Sequence, residues 1–251
     1  MDIDAYAAEE LVEKDHWWFV GRRQLFSREL ARLSLDRRAA TLDTGTSTGT
    51  NLRMLRDLGF CNVTGLDLSD EAIRFCTEKG LGPVQKGDIN ALPFSDEMFD
   101  LVLATDIIEH VDDDTGALYE LNRALKPGGH LLITVPAFPS LWGLQDKVSH
   151  HKRRYRLRGL KAKVEAAGFT VRRRYYFNFI LFAPIFLARQ IIRIAGLDDR
   201  LKSENEVHSP GINRILQPIF SLDTRLAPML RLPFGVSILM LARKKIIFGS
   251  S

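Results

Sequence analysis

The sequence predicts an α/β protein built on a doubly wound, largely parallel β-sheet. Three observations carry this. Short apolar runs alternate with helix-patterned segments between residues 39 and 136. The first two of those runs end on or next to an acid, Asp43 and Asp67. Between the first run and its helix, the stretch "TLDTGTSTGTNL" (41–52) places Gly45, Ser47 and Gly49 at spacing two, where a parallel sheet gathers its ligands.

The elements follow in order. Residues 16–35 have helical apolar spacing, after a start in which 1–15 carry six acids against Lys14. Residues 39–43 read as a strand, 50–58 as a helix and 62–68 as the next strand. The helix after it has Ser69 or Asp70 for a cap and Gly80 to end it. A short strand is expected at 82–89 and a buried apolar one at 99–106. A helix at 115–125, a turn at "KPGG" and a fifth strand at 130–136 complete the alternation. Beyond it a loop is expected at 137–156, a helix at 157–167 and a strand at 170–178. A greasy, basic, mostly helical segment fills 179–230, and a last strand spans 234–244.

Composition narrows the class. In 251 residues, 45% hydrophobic and 26% charged residues fit a soluble globular protein, and the net charge is +4. Two cysteines, Cys61 and Cys76, give no disulfide framework, and no basic-then-apolar leader opens the chain, so a cytoplasmic location is expected. The apolar run 175–188 contains Pro184 and falls short of the about 20 residues that span a bilayer, though it could lie on one. Residues 150–163 hold seven Lys or Arg and no acid. That run is either a solvated helix start or a site for an anionic acceptor or membrane surface.

The small-residue loop excludes two nucleotide patterns. A dinucleotide fingerprint needs glycine at 47 and glycine or alanine at 50, where the chain has Ser47 and Thr50; the Walker Gly-Lys-Ser/Thr is also missing. What remains is D-x-G-x-(small)-x-G. With this loop, "GLDLS" carrying Asp67, "GDINALPFSDEMFDLVLATDIIEHV" and "ALKPGGHLLITVP", the sequence resembles class I S-adenosylmethionine-dependent methyltransferases of the broad small-molecule (type 11-like) group over about 39–136. "HWWFVGRR" and "HHKRRY" extend a weaker likeness to about residue 180.

The resemblance implies a Rossmann-like sheet of seven strands with the last antiparallel, and a helical insert between the last two. It divides the chain into a helical cap (1–38), a cofactor-binding core (39–178), an apolar and basic insert (179–233), and a last strand with its tail (234–251). S-adenosylmethionine is the implied cofactor. Its implied contacts are Asp43, Gly45, Thr46, Ser47 and Gly49 in the loop, Asp67 on the ribose hydroxyls with Leu68 beside it, Asp88 and Ile89 at the adenine, and Asp106 near the methionine end. A carboxylate suits the ribose role because it accepts two hydrogen bonds, each charge-assisted. Trp18 and Arg23, in the leading helix, would fold over the cofactor, with Arg23 or Arg22 pairing its carboxylate; the alternative is an aromatic anchor packing that helix on the sheet. Ser47 departs from the family's glycine, and a negative φ is expected there.

Methyl transfer to a hydroxyl needs an aligned acceptor and a proton acceptor. The candidates are His110, His150 and His151. No metal site is expected, since no His/Cys/Asp cluster shows ligand spacing. The expected acceptor is a small or lipid-linked molecule methylated at oxygen, with Lys152, Arg153, Arg154 or Arg156 facing any anionic group. The 175–234 segment reads as a lid, a homodimer interface or a peripheral membrane element. "TDII" after the fourth strand lacks the tetrapeptide of amino-group nucleic-acid methylation, which argues against nucleic acid as acceptor. A non-catalytic cofactor-binding or scaffold protein of the same fold is the reading from another class, raised by Ser47.

Overall fold

The computed structural model describes residues 3–194 and 210–246. Two helices lead, α1 (Ile3–Val12) and α2 (Trp17–Ala31). The alternation follows as β1 (Thr41–Thr44), α3 (Thr50–Asp57), β2 (Val63–Asp67), α4 (Asp70–Glu78), β3 (Val84–Lys86), β4 (Phe99–Thr105), α5 (Asp114–Ala124) and β5 (Leu125–Pro136). Then come α6 (Leu144–Val148), α7 (Leu157–Ala166), β6 (Phe169–Phe177), α8 (Phe182–Ile194), α9 (Pro210–Leu230) and β7 (Ser237–Lys244). The seven strands lie in the order β3-β2-β1-β4-β5-β7-β6, and β7 runs antiparallel to both β5 and β6. This is the Rossmann-like methyltransferase sheet, and β1, near its centre, delivers the small-residue loop.

Strand alternation explains the two cores. Successive side chains of β4 point to opposite faces. Val102 and Ala104 join Leu42, Leu131 and Ile133 on one face; Leu101 and Leu103 join Leu52, Leu55 and Leu132 on the other. The second face receives α2 and α9. There Phe220 packs so tightly on Gly21 that a Cβ would collide with its ring, so only glycine permits the approach.

Two local expectations change. "KPGG" is not a free turn: β5 begins at Leu125, paired with Phe99 of β4, and includes it. The 137–156 segment is not all loop, because a 3-10 turn at Pro139–Leu141 and α6 interrupt it. The acidic start forms α1, inside the helical cap expected over 1–38. Residues 195–209, in the middle of the expected helical segment, lie outside the described residues. The described parts of that segment, α8 and α9, lie between β6 and β7 in the chain.

Candidate functional site

The loop after β1 bends through three left-handed residues: Gly45 at φ 70°, Ser47 at 49° and Gly49 at 90°. A Cβ on Gly45 would sit 2.7 Å from Ile107 Cδ1, and one on Gly49 2.7 Å from Leu81 Cδ1. Both positions therefore need glycine for space as well as for φ. Ser47 corrects the expectation of a negative φ. That conformation is held by the anchor its amide makes: Ser47 N donates to Asp67 Oδ2 at 2.9 Å. Gly45 N and Thr46 Oγ1 donate to Leu66 O at 2.8 and 3.0 Å, so the loop is stitched to the end of β2.

Asp67, at the end of β2, lies close enough to Asp43 of β1 to act on its charge. Asp67, 8% exposed, also accepts from Ser69 N at 3.0 Å. Burial raises its pKa against the pull of these amides. Asp43 is fully buried; its Oδ1 accepts from Asn51 Nδ2 at 2.9 Å, and Asn51 also donates to Thr105 Oγ1. Burial pushes the Asp43 carboxyl up to about 7, with Asn51 and Arg22 opposing. Its Oδ2 has no hydrogen-bond partner among the described residues. Leu68 is 65% exposed beside Asp67, while Ile89 is buried and Asp88 is exposed, its Oδ1 accepting from Asn90 N at 2.9 Å.

The leading helices divide the remaining roles. α1 lies across the loop. Glu13, just past its end, accepts from Thr48 Oγ1 and Thr50 Oγ1 and pairs with Lys79 at 3.0 Å. Buried Tyr6 approaches Ser69 and Asp67; burial and then Asp67 push its phenol up to about 12. Glu9 faces Ser47 and Thr48, and burial pushes its carboxyl up to about 7. Arg23 donates to Glu13 O and Lys14 O, and lines a cavity with Thr50 and Arg53. Trp18 stacks on Phe177 and Phe220 with centroids at 6.0 and 5.2 Å. These contacts pack α2 against β6 and α9. Arg22 is the cation that reaches the site, pairing with Asp106 at 2.6 Å at the end of β4.

Past Asp106, the chain passes over Gly45 through Ile107 and turns into Glu109 and His110. The His110 and His151 rings meet edge to face, with centroids 4.7 Å apart. His151 Nδ1 lies 2.8 Å from Asp146 Oδ1, and a His110 ring nitrogen faces the Ser149 backbone. Burial, and then His151, hold the His110 imidazole down at about 4. His150, by contrast, is exposed, so two of the three candidate histidines come together. Sequence reasoning passes over Glu109, which is wholly buried, and Asp146, whose role depends on a fold that joins residues five apart across a helix end.

The basic run is largely neutralised by the chain itself. Lys152 pairs with Asp112 at 3.1 Å, Arg153 and Lys163 with Asp114 at 3.1 and 2.5 Å, and buried Arg154 with Asp146 at 2.7 Å. Arg156 instead lies over Phe138, 5.8 Å from its centroid. Phe138 belongs to an aromatic group with Tyr176, Phe182, Phe186 and Phe234. Leu187 and Ile191 of α8 stay well exposed. Among the described residues no helix is long and apolar enough to cross a membrane.

Residues 42–133 match the methyltransferase domain family. The chain is 35% identical over 131 residues to malonyl-[acyl-carrier protein] O-methyltransferase of Enterobacter lignolyticus, covering 49% of this chain and 52% of that one. It is 39% identical over 85 residues to phthiotriol/phenolphthiotriol dimycocerosates methyltransferase 1 of Mycobacterium ulcerans, covering 32% and 31%. The chain thus spans about half the length of the first of these relatives, and less of the second. A solved S-adenosylmethionine-dependent methyltransferase from Thermotoga maritima shares the fold at a TM-score of 0.58 and 20% identity, over 97% of this chain and 96% of that one.

Proposed function

We propose that this chain, whose core is a class I S-adenosylmethionine-dependent methyltransferase domain, transfers a methyl group to the oxygen of a small or lipid-linked acceptor. The observation that carries the reading is the bond from Ser47 N to Asp67 Oδ2. It sets a left-handed, side-chain-poor loop against an acid at the neighbouring strand end.

The residues present fit the cofactor. A buried carboxylate oxygen with no partner among the described residues, Asp43 Oδ2, and a group of acids (Asp43, Asp67, Asp106) suit a ligand that carries an ammonium and a sulfonium. When bound, S-adenosylmethionine supplies an electrophilic methyl group on sulfur. Asp67 would accept from the ribose hydroxyls, and Leu68 and Ile89 would flank the adenine, with Asp88 at its amine. Thr46, Ser47 and the backbone between Gly45 and Gly49 would wrap the methionine portion. Arg22, already paired with Asp106, stands where a carboxylate could be met. Proton removal from the acceptor falls to the cluster of Glu109, His110 and His151, which begins three residues after Asp106.

Two features favour an apolar acceptor. The aromatic group around Phe182 and the exposed apolar face of α8 follow the loop that carries His151. The curated relatives named above are methyltransferases for an acyl-carrier-bound and a lipid molecule. The pairing of Lys152, Arg153 and Arg154 with acids of the same chain removes the charge that a nucleic-acid reading needs. The test is transfer of label from methyl-labelled cofactor to a panel of acyl thioesters, long-chain hydroxy lipids and RNA. Labelled apolar product is expected. Cofactor binding with no transfer to any acceptor would favour the non-catalytic reading, and labelled RNA alone would replace this one.

A further inference from the structure

We infer that Glu109, His110 and His151 bind a divalent transition-metal ion of the zinc class. One ligand atom from each of the three lies within 4.8 Å of the others. Metal–nitrogen and metal–oxygen bonds of about 2.0–2.2 Å place neighbouring ligand atoms roughly 3–3.5 Å apart. Rotamer adjustment of two imidazoles and one carboxylate therefore closes the set. Spacing along the chain conceals this cluster, because the fold brings His151 to a pair of residues far from it in sequence.

Three features of the cluster point to a ligand. Glu109 is 0% exposed, and neither carboxylate oxygen has a hydrogen-bond partner among the described residues. A buried carboxylate with nothing to pair it is costly, and a cation bound directly by it removes that cost. Arg22 and Arg154 act on it only at a distance, and Asp106 nearby adds to the acidic field. Both imidazoles are held from outside. His151 Nδ1 meets the fully buried Asp146 at 2.8 Å, and His110 meets the backbone of Ser149. Each ring thereby keeps its other nitrogen for the cluster. Carboxylate and carbonyl partners of this kind fix the tautomer and orientation of metal-bound histidine.

Two nitrogens and one carboxylate oxygen match ions of the zinc and iron(II) type better than magnesium or calcium, which prefer oxygen throughout. Three protein ligands leave a position for water or an acceptor oxygen. A role for that position in ionising an acceptor hydroxyl rests on the methyl-transfer reading; binding of the ion does not.

The experiment uses the full chain, stripped with a chelator and titrated with Zn²⁺ by calorimetry and with Co²⁺ by visible absorption. Binding of one ion per chain is expected, with a Co²⁺ band of low coordination number. Glu109→Gln and His110→Ala should each weaken binding at least tenfold, while His130→Asn, on β5, should not. Added Zn²⁺ should raise the melting temperature of metal-free wild type and raise that of metal-free Glu109→Gln less. Folded wild type that binds neither ion, or variants that bind as wild type does, would overturn the site. Cofactor titration of the same metal-free samples reports separately on the methyltransferase reading.

Discussion

Ser47 N and Asp67 Oδ2 stand 2.9 Å apart, joining the turn after β1 to the last residue of β2. One carboxylate thus holds the loop and remains beside the place where ribose hydroxyls are expected. Asp67→Ala should weaken S-adenosylmethionine binding by roughly 1.5–3 kcal/mol, the worth of hydrogen bonds to a charged group. Asp67→Asn, which keeps an acceptor for one amide, should lose less. Calorimetry on the two variants checks the order.

Ser47 sits at φ 49°, a region that costs a side-chain-bearing residue about 1–2 kcal/mol. Ser47→Gly should therefore keep the fold and cofactor binding and raise stability by about 0.5–1 kcal/mol, after the unfolded-state entropy of glycine is set against the relief. Urea denaturation with a parallel binding titration measures both. Loss of binding in the variant would make the hydroxyl a ligand contact.

Much of the fold is legible because the central strands are continuous apolar runs with helix-patterned segments between them. Thr41–Thr44, Val63–Asp67 and Phe99–Thr105 fall within a residue or two of the stretches that predict them. The misses have tertiary causes. "KPGG" carries turn residues, yet Leu125 is drawn into the sheet by Phe99. α1 falls in the expected helical cap, but the sequence does not show that Glu13 beyond its end lands on Thr48, Thr50 and Lys79. Glu109 is hidden in a motif that reads as packing, because the partner that gives it meaning, His151, lies far along the chain. At Ser47 the loop imposes a positive φ, and the side chain's own preference for negative φ points the wrong way.

Asp43 and Glu9 make stability depend on pH. Both carboxyls are raised to about 7 by burial. Asn51, Asp67 and Arg22 face Asp43, while Ser47, Glu13, Arg22 and Thr48 face Glu9. A raised carboxyl stays protonated in the folded chain after it has ionised in the unfolded one. Its contribution is full below the unfolded value of about 4 and is lost as pH rises to about 7, at up to 1.4 kcal/mol per pH unit for each group. Ligand-free protein should lose stability from pH 5 to pH 7 in chemical denaturation, and Asp43→Asn should flatten that slope.

Arg154 and Asp146 form a buried pair at 2.7 Å, with side chains 4% and 0% exposed. Removing one partner leaves the other charge buried. Arg154→Ala should destabilise the fold by about 3 kcal/mol, the lower end of the usual range, since His151 and Gly143 N still meet Asp146. Thermal melts of the variant beside Arg156→Ala, which removes an exposed guanidinium lying over Phe138, supply the comparison; the second variant should melt close to wild type.

Titration calorimetry of the wild-type chain with S-adenosylmethionine and, separately, with NAD tests the central claim most directly. The loop from Gly45 to Gly49 with Asp67 predicts micromolar S-adenosylmethionine binding, about −8 kcal/mol, and no heat from the dinucleotide. Folded protein that fails to bind S-adenosylmethionine at about millimolar concentration, or that binds NAD instead, would contradict it.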